Sequence, residues 1–152
     1  ADISKYDYIR LPAEDIWGVI MRRDSPLARK EYIEKSDLLN VPLICSRQAI
    51  APRQGENKFS DWFGEDFEKL NIVTTFNLVY NATIMVEAGI GYAVTLDKLA
   101  NTTESSSLCF RPLIPKLMSG LDIVWKKYQI FSPAAELFFN KLKERFADSL
   151  IY

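Results

Sequence analysis

Polar side chains that could bind a small anion follow the predicted strands of this sequence. Arg47 comes directly after the apolar run at residues 41–45, and an arginine can grip a carboxylate with two parallel hydrogen bonds. In a parallel α/β sheet, ligands bind beyond the carboxyl ends of the strands, where helix N-termini present free amides. The candidate ligand-binding residues at such positions are Ser46, Arg47, Gln48, Asn57, Phe59, Asn77 and Thr95. They would supply hydrogen-bond donors, one fixed cation and one aromatic wall.

Each candidate also has a purely structural interpretation, and the sequence leaves both open. Ser60 and Asn77 have residue types preferred at helix N-caps. Residues 46–48 can be a solvated loop, and Phe59 can belong to the core. The aromatic side chains of the helix predicted nearby fit ordinary helix packing better than a ligand role; they are Trp62, Phe63 and Phe67.

The residue types argue against catalysis and against a metal site. The sequence contains no histidine, which removes every Ser/His/Asp or Cys/His arrangement and the commonest transition-metal ligand. Cys45 and Cys109 are far apart and form no CxxC pattern, so both are interpreted as small core residues. Glu65 and Asp66 are adjacent, which points them to different faces of a helix. We therefore expect no enzyme activity, no cofactor and no metal.

The composition is that of an ordinary soluble globular protein. The chain has 152 residues, 48% of them hydrophobic, and a net charge of −1, so it can bury a sizeable core. Its lysines and arginines form no basic stripe, which argues against DNA binding by this chain alone. No apolar run reaches the roughly 18 residues of a membrane-spanning helix, and no secretory pattern opens the sequence. We expect a cytoplasmic protein that does not enter the membrane.

The elements that must position the candidate residues alternate between strand and helix patterns. Extended segments are predicted at residues 6–11 and 16–21, on either side of a turn, and further strands at 41–45, 72–76, 92–96, 108–114 and 121–127. Helices are predicted to begin near Pro26, Ser36, Ser60, Asn77 and Pro133. Because parallel strands require crossover connections, we expect parallel βαβ units, with Pro112 marking a sheet edge.

Three stretches resemble a known family. Residues 17–28 read WGVIMRRDSPLA, residues 36–48 read SDLLNVPLICSRQ, and residues 85–96 read MVEAGIGYAVTL. These stretches resemble the effector-binding (substrate-binding) domain of LysR-type transcriptional regulators. The resemblance implies an α/β protein of the periplasmic-binding-protein type II-like class, here with one complete Rossmann-like lobe plus remnants of a second lobe.

The resemblance also implies a domain organisation and a function. Residues 1–19 and 115–152 would be a partial first lobe, the remnants of regulatory subdomain I, and residues 20–114 would be the second lobe, regulatory subdomain II. We expect a ligand-sensing domain that binds a small metabolite, with an anion as one option, in the cleft between the lobes. DNA would be bound only through a helix-turn-helix domain that this chain lacks. The alternative is a solute-binding module of a transport system with the same fold.

By the same resemblance the domain is expected to form a homodimer, which pairs through the helix at residues 60–70 and the strand at residues 72–76. That strand has no charge or proline to protect a sheet edge. The predicted interface residues are Trp62, Phe63, Asp66, Ile72, Thr74 and Phe76. A second apolar surface is expected where the first lobe is incomplete, formed by Ala134, Phe138, Leu142 and Phe146.

Overall fold

The computed structural model describes residues 3–50 and 58–146. The chain divides into two compact units. The first unit contains the described residues up to Asp15 and from Ser119 onward, and the second contains those from Ile16 to Met118. The assignment of these units to the lobes of the resembling family stays a prediction.

Within the described residues, seven strands and five α-helices can be numbered in chain order. The strands are β1 (Tyr6–Arg22), β2 (Ile33–Glu34), β3 (Leu43–Ser46), β4 (Ile72–Phe76), β5 (Tyr92–Leu96), β6 (Leu108–Ile114) and β7 (Met118–Lys126). The α-helices are α1 (Lys35–Leu38), α2 (Arg47–Ile50), α3 (Lys58–Phe63), α4 (Val79–Glu87) and α5 (Pro133–Arg145). Short 3-10 helices occupy Ile3–Lys5, Pro26–Arg29 and Gly64–Lys69.

The sheet of the second unit mixes parallel and antiparallel strands. Its order is β2-β6-β1-β5-β3-β4, and β7 pairs with β1 in the first unit. β3 is parallel to both β4 and β5, which confirms the βαβ prediction for these three strands. β1 is antiparallel to β5 and β6. The carboxyl ends of β3, β4 and β5 therefore lie side by side at one end of the sheet of the second unit, which we call the carboxyl edge.

The core of the second unit lies on both faces of this sheet. Alternate residues of a strand belong to different clusters: Cys45 and Val94 to the first, Ile44 and Ala93 to the second. Helices α2 and α3 cover the first face through Ala49 and several aromatic rings, and α4 covers the second face through Ala82 and Val86. This two-sided burial explains why the strand at 41–45 is almost wholly apolar.

Two strand predictions were wrong in detail. β1 is one continuous strand, whereas the sequence predicted a turn at residues 12–15. Proline fixes φ near a value that an extended backbone tolerates, so Pro12 does not interrupt β1. Pro112 does not lie on an edge strand, because β6 is flanked by β1 and β2. Pro112 is paired with Gly18 of β1 on one side. It has no paired residue on the other side, because β2 pairs only with Leu113 and Ile114 of β6.

Helix ends also differ from the predictions. The helix expected at residues 60–70 is α3 followed by a 3-10 helix, because Gly64 adopts a φ of +77° that ends the α-helix. Ser60 therefore lies inside α3 and does not cap it. Ser25 makes no cap either, since its hydroxyl lies 3.0 Å from the Tyr92 hydroxyl. The cap predicted before α5 is confirmed, because Ser132 accepts a hydrogen bond from the Ala135 amide.

The first unit contains helix α5, which exposes apolar as well as charged side chains. The Trp125 and Phe139 rings pack with centroids 4.4 Å apart, and Arg10 forms two hydrogen bonds to Asp122. Ala134 and Phe138 of the predicted apolar surface are exposed, whereas Leu142 and Phe146 are half-buried.

Candidate ligand-binding site

Ser46, Phe76 and Thr95 form a row at the carboxyl ends of three parallel strands. Ser46 pairs with Phe76 in the register of β3 and β4. Cys45 pairs with Val94, so the next residues along β3 and β5, Ser46 and Thr95, are also neighbours. Side chains alternate along a strand, which places Ser46 and Thr95 on the face of Ile44 and Ala93. Two hydroxyl groups therefore lie side by side at this edge.

The Thr95 hydroxyl has no protein partner among the described residues. Thr95 is 4% exposed, and it is the one buried polar residue in the described part of the chain. No described residue forms a hydrogen bond with its hydroxyl. Among the same residues, no fully buried side-chain nitrogen or oxygen lacks a partner, so the exposed part of Thr95 must include that oxygen. The hydroxyl is thus available to a molecule at the edge.

Helix α4 begins at the same edge without a side-chain cap. Its N-cap is Leu78, which corrects the prediction that Asn77 caps the helix, and no side chain accepts a hydrogen bond from its first turn. α4 packs through Val79 and Ala82 on the face that carries Ser46 and Thr95. Uncapped first-turn amides and the positive end of the helix dipole both favour an anion. No sequence pattern signals this feature, because it lies in the backbone.

Arg47 and Gln48 open helix α2 directly after Ser46. Both side chains are exposed, and within residues 3–50 and 58–146 neither has a hydrogen-bonding or ion-pair partner. Arg47 therefore brings an uncompensated positive charge to the edge. Asn77 is also exposed and lies between Phe76 and the start of α4. Asn57 lies outside the described residues.

Phe59 is a core residue and is separated from this row. It is 1% exposed, and its ring centroid lies 6.0 to 6.1 Å from those of Trp17, Trp62, Phe63 and Phe67. These rings belong to the core cluster on the opposite face of the sheet from Ser46 and Thr95. The structure therefore brings Ser46, Arg47, Gln48, Asn77 and Thr95 to one edge, and it leaves Phe59 inside the core.

One carboxylate near the edge is already engaged. Asp97 follows β5, and its Oδ1 accepts a hydrogen bond of 2.9 Å from the Ile16 amide, while the Asp97 amide donates to the Ile16 carbonyl. Lys98 lies 3.4 Å from the other carboxylate oxygen. Sequence patterns did not single out Asp97, whose function is to hold the start of the second unit against the end of β5.

Cys45, the residue before Ser46, is a buried free cysteine. Burial raises the pKa of the Cys45 thiol to about 12, so Cys45 cannot supply a thiolate at neutral pH. In the part of the chain that the structure describes, no cluster of acidic or cysteine side chains could hold a metal ion. No described helix is long and apolar enough to cross a membrane.

A second polar depression lies at the opposite end of the sheet. It has a volume of about 560 Å³ and is lined by Arg22, Arg23, Asp24, Glu87 and Ser107. Its arginines are already bound: Arg22 pairs with Asp24, and Arg23 donates to the carbonyls of residues 102, 103 and 106. The hydrogen bond from Arg22 is the main reason why the pKa of Asp24 is lowered. These contacts hold surface loops in place. The better ligand site is therefore the one that contains the Ser46 and Thr95 hydroxyls.

Comparison with known proteins identifies the family. Residues 2–147 match the family model described as LysR substrate binding domain. The chain is 30% identical over 135 residues to YbhD of Escherichia coli (strain K12), described as an uncharacterized HTH-type transcriptional regulator. That alignment covers 84% of this chain and 39% of YbhD, so the chain spans about two fifths of its curated relative.

Two solved structures show the same fold. HinK, a LysR family transcriptional regulator from Pseudomonas aeruginosa, superposes with a TM-score of 0.67 and 17% identity over 94% of this chain and 49% of its own. The effector binding domain of QuiR gives a TM-score of 0.70 and 12% identity over 99% of this chain and 69% of its own.

These findings confirm both the fold class and the resemblance inferred from residues 17–28, 36–48 and 85–96. The fold is the periplasmic-binding-protein type II-like fold of LysR effector-binding domains. Because the family model covers almost the whole sequence, the chain belongs to the LysR substrate-binding domain family of transcriptional regulators.

Proposed function

We propose that this chain senses a small carboxylate for a LysR-type regulator and binds it at the carboxyl edge of β3, β4 and β5. The observation that carries the proposal is the Thr95 hydroxyl beside Ser46, which has no partner among the described residues although its side chain is almost wholly buried. Because its oxygen stays accessible, a ligand oxygen can take the place of water at this hydroxyl. The function is one of binding, without catalysis, and it belongs in the cytoplasm.

The charges around this edge favour an anion. Arg47 is exposed and unpaired among the described residues, and the uncapped start of α4 adds a positive dipole end. The carboxylate of Asp97, just past the end of β5, is occupied by the Ile16 amide and by Lys98. A carboxylate can accept hydrogen bonds from an arginine, a hydroxyl and backbone amides together.

One structural neighbour supports the same class of ligand. The QuiR domain was solved in complex with shikimate, which is a small organic acid. Since the chain belongs to a family of regulators, the transport alternative has no support beyond the shared fold. In our proposal, occupancy of the site is passed to a DNA-binding domain elsewhere in the regulator.

Replacing Thr95 with valine is expected to weaken carboxylate binding about 10- to 100-fold, because a hydrogen bond to a charged group contributes about 1.5–3 kcal/mol. Ligands would first be found by thermal-shift screening of small carboxylates, starting with shikimate, and affinities then measured by calorimetry. Stability should not fall, since the valine removes a hydroxyl that has no partner among described residues.

The control is Thr75→Val, because Thr75 pairs with Cys45 and so faces the other side of the sheet. That variant should keep its affinity. Equal affinities for Thr95→Val and the unchanged chain would contradict the site. A screen in which no carboxylate binds would reject the proposed ligand class.

We also propose that the chain forms a homodimer through the free edge of β4. β4 lies at the end of the strand order, and its residues carry no charge, so its edge can pair with a second copy. Val73 is 46% exposed there, and Tyr80 and Ile84 of α4 are also exposed apolar residues. α4 packs on β4, so these side chains can extend the contact.

The other residues of the predicted interface differ in what they can contribute. Phe63 and Phe76 are buried within the second unit. Trp62 donates a hydrogen bond to the Pro115 carbonyl, and Asp66 forms an ion pair with Lys69. Ile72 and Thr74 are half-buried. Their place in a dimer stays a prediction, and Val73 is the sharper position for a test.

Val73→Lys is expected to raise the dimer dissociation constant about tenfold or more, because it places like charges on facing strand edges. Sedimentation and light scattering would measure the change. The control is Val124→Lys, since Val124 is 56% exposed on β7 in the first unit. A monomer at micromolar concentration would reject dimerisation, whereas a dimer unaffected by Val73→Lys would reject only this edge.

A further inference from the structure

We propose that Trp62 is a positioning residue that links the ligand-binding edge to the two segments by which the chain enters and leaves the second unit. The inference rests on the proposed ligand site for its biological meaning, although its test does not require a ligand. Neither the residue's type nor membership of the family assigns this role. It follows from a closed circuit of contacts around the Trp62 ring.

The entering and leaving segments are joined by backbone hydrogen bonds. The second unit begins at Ile16 and ends at Met118. The Trp17 amide donates to the Leu117 carbonyl at 2.9 Å, and the Asp97 amide donates to the Ile16 carbonyl at 2.8 Å. The exchange of these two amides with solvent therefore reports how firmly the segments are held.

Aromatic rings connect the same segments to helix α3. The Trp17 ring stacks on Phe59 with centroids 6.0 Å apart and planes 14° apart. Phe59 stacks on Trp62 at 6.1 Å and 13°. Trp62 then donates from Nε1 to the Pro115 carbonyl at 2.6 Å. The contacts therefore run from Trp17 through Phe59 and Trp62 of α3 to Pro115. Pro115 lies two residues before Leu117, whose carbonyl accepts the Trp17 amide, so the contacts form a closed circuit.

Helix α2 connects this circuit to the ligand edge. α2 begins at Arg47, directly after Ser46, and it packs against α3. Ala49 of α2 is buried in the same core cluster as Phe59 and Trp17. Because a packed core transmits displacement, a ligand that moves α2 also moves the Phe59 and Trp62 rings, and with them Pro115.

Tryptophan supplies in one side chain both properties that the contacts around it use. Its ring stacks on Phe59 and lies under the Lys35 ammonium group, 5.1 Å from Nζ. Its indole nitrogen provides the donor for Pro115. Phenylalanine at this position would keep the apolar ring and lose the donor. Trp62→Phe therefore removes the hydrogen bond to Pro115 and leaves the other contacts of the circuit and the packing of the core in place.

The test is a double-mutant cycle read by amide hydrogen exchange on the whole chain. Trp62→Phe is expected to speed exchange of the Trp17 amide about tenfold. The Leu43 and Tyr92 amides donate hydrogen bonds to the carbonyls of Asn71 and Pro42, respectively. Their exchange rates should not change, which would show that the sheet stays folded. Trp125→Phe, in the first unit, is the matched control and should change none of them.

The second arm perturbs α2. Ala49→Gly, which weakens a helix residue by about 1 kcal/mol, should speed Trp17 exchange about threefold to tenfold in the unchanged background and less than about twofold together with Trp62→Phe. Equal effects in both backgrounds would overturn the coupling, as would a Trp17 amide that does not respond to Trp62→Phe. Because the exchange rates are measured without ligand, failure of this coupling can be distinguished from failure of the proposed carboxylate site.

Discussion

Replacing Gly18 with alanine should lower the free energy of unfolding of the second unit by about 3 kcal/mol or more. Gly18 lies in β1 between Thr95 of β5 and Pro112 of β6. A Cβ atom at this position would clash with the Phe110 ring and with the Arg111 carbonyl oxygen. The ring could rotate away, but the carbonyl belongs to the paired strand, so the substitution must displace the sheet.

Gly120→Ala is the matched control, because the nearest atom to its added Cβ would be Arg10 Nε at 3.9 Å. It should change stability by less than about 0.5–1 kcal/mol. Urea denaturation followed by tryptophan fluorescence would compare the two variants. If Gly18→Ala unfolded at the same urea concentration as Gly120→Ala, the close packing of β1 against β6 would be contradicted.

Phe59→Ala is expected to destabilise the second unit by about 3–5 kcal/mol, the usual cost of removing a buried aromatic ring. Phe59 is 1% exposed and contacts four other aromatic rings, so its removal leaves a large cavity. The sequence left two roles open for this residue, a core position and a ligand wall. A loss of stability of this size would agree with the core position.

Phe138→Ala serves as the comparison, since Phe138 is 69% exposed on α5. The same deletion there should cost less than about 0.5 kcal/mol. Calorimetric unfolding of both variants would give the difference. Should Phe59→Ala keep the stability of the unchanged chain and lose carboxylate binding, Phe59 would be a ligand residue after all.

The local sequence was sufficient to predict two of the three strands that build the ligand edge. β4 and β5 have the predicted limits, because each is a short run rich in β-branched or aromatic residues between polar turns. The third strand was predicted at residues 41–45, whereas β3 spans Leu43–Ser46. The carboxyl-end rule also selected Ser46 and Thr95 separately. That they are neighbours depends on β3 and β5 pairing directly, which is a long-range property that no local pattern contains.

Other features could not be predicted because they depend on packing. The apolar Leu78 is not among the residue types preferred at N-caps, so its position at the start of α4 follows from the tertiary structure. The continuity of β1 is also tertiary, since only its pairing with other strands decides whether residues 12–15 extend or turn. Phe59 illustrates the same limit, because an aromatic residue near a strand end fits both a core and a pocket.

Because both cysteines are buried, the rate at which their thiols are alkylated can report how fast the second unit opens. Cys45 lies in the middle of β3 and Cys109 in β6, and both are buried free thiols. With the pKa of Cys45 raised to about 12, an alkylating reagent must wait until the sheet opens and the thiol ionises in water. At saturating reagent the labelling rate therefore equals the opening rate. Because the two thiols lie on strands separated by β1 and β5, equal rates would show that the sheet opens as a whole, and unequal rates would show which side opens first.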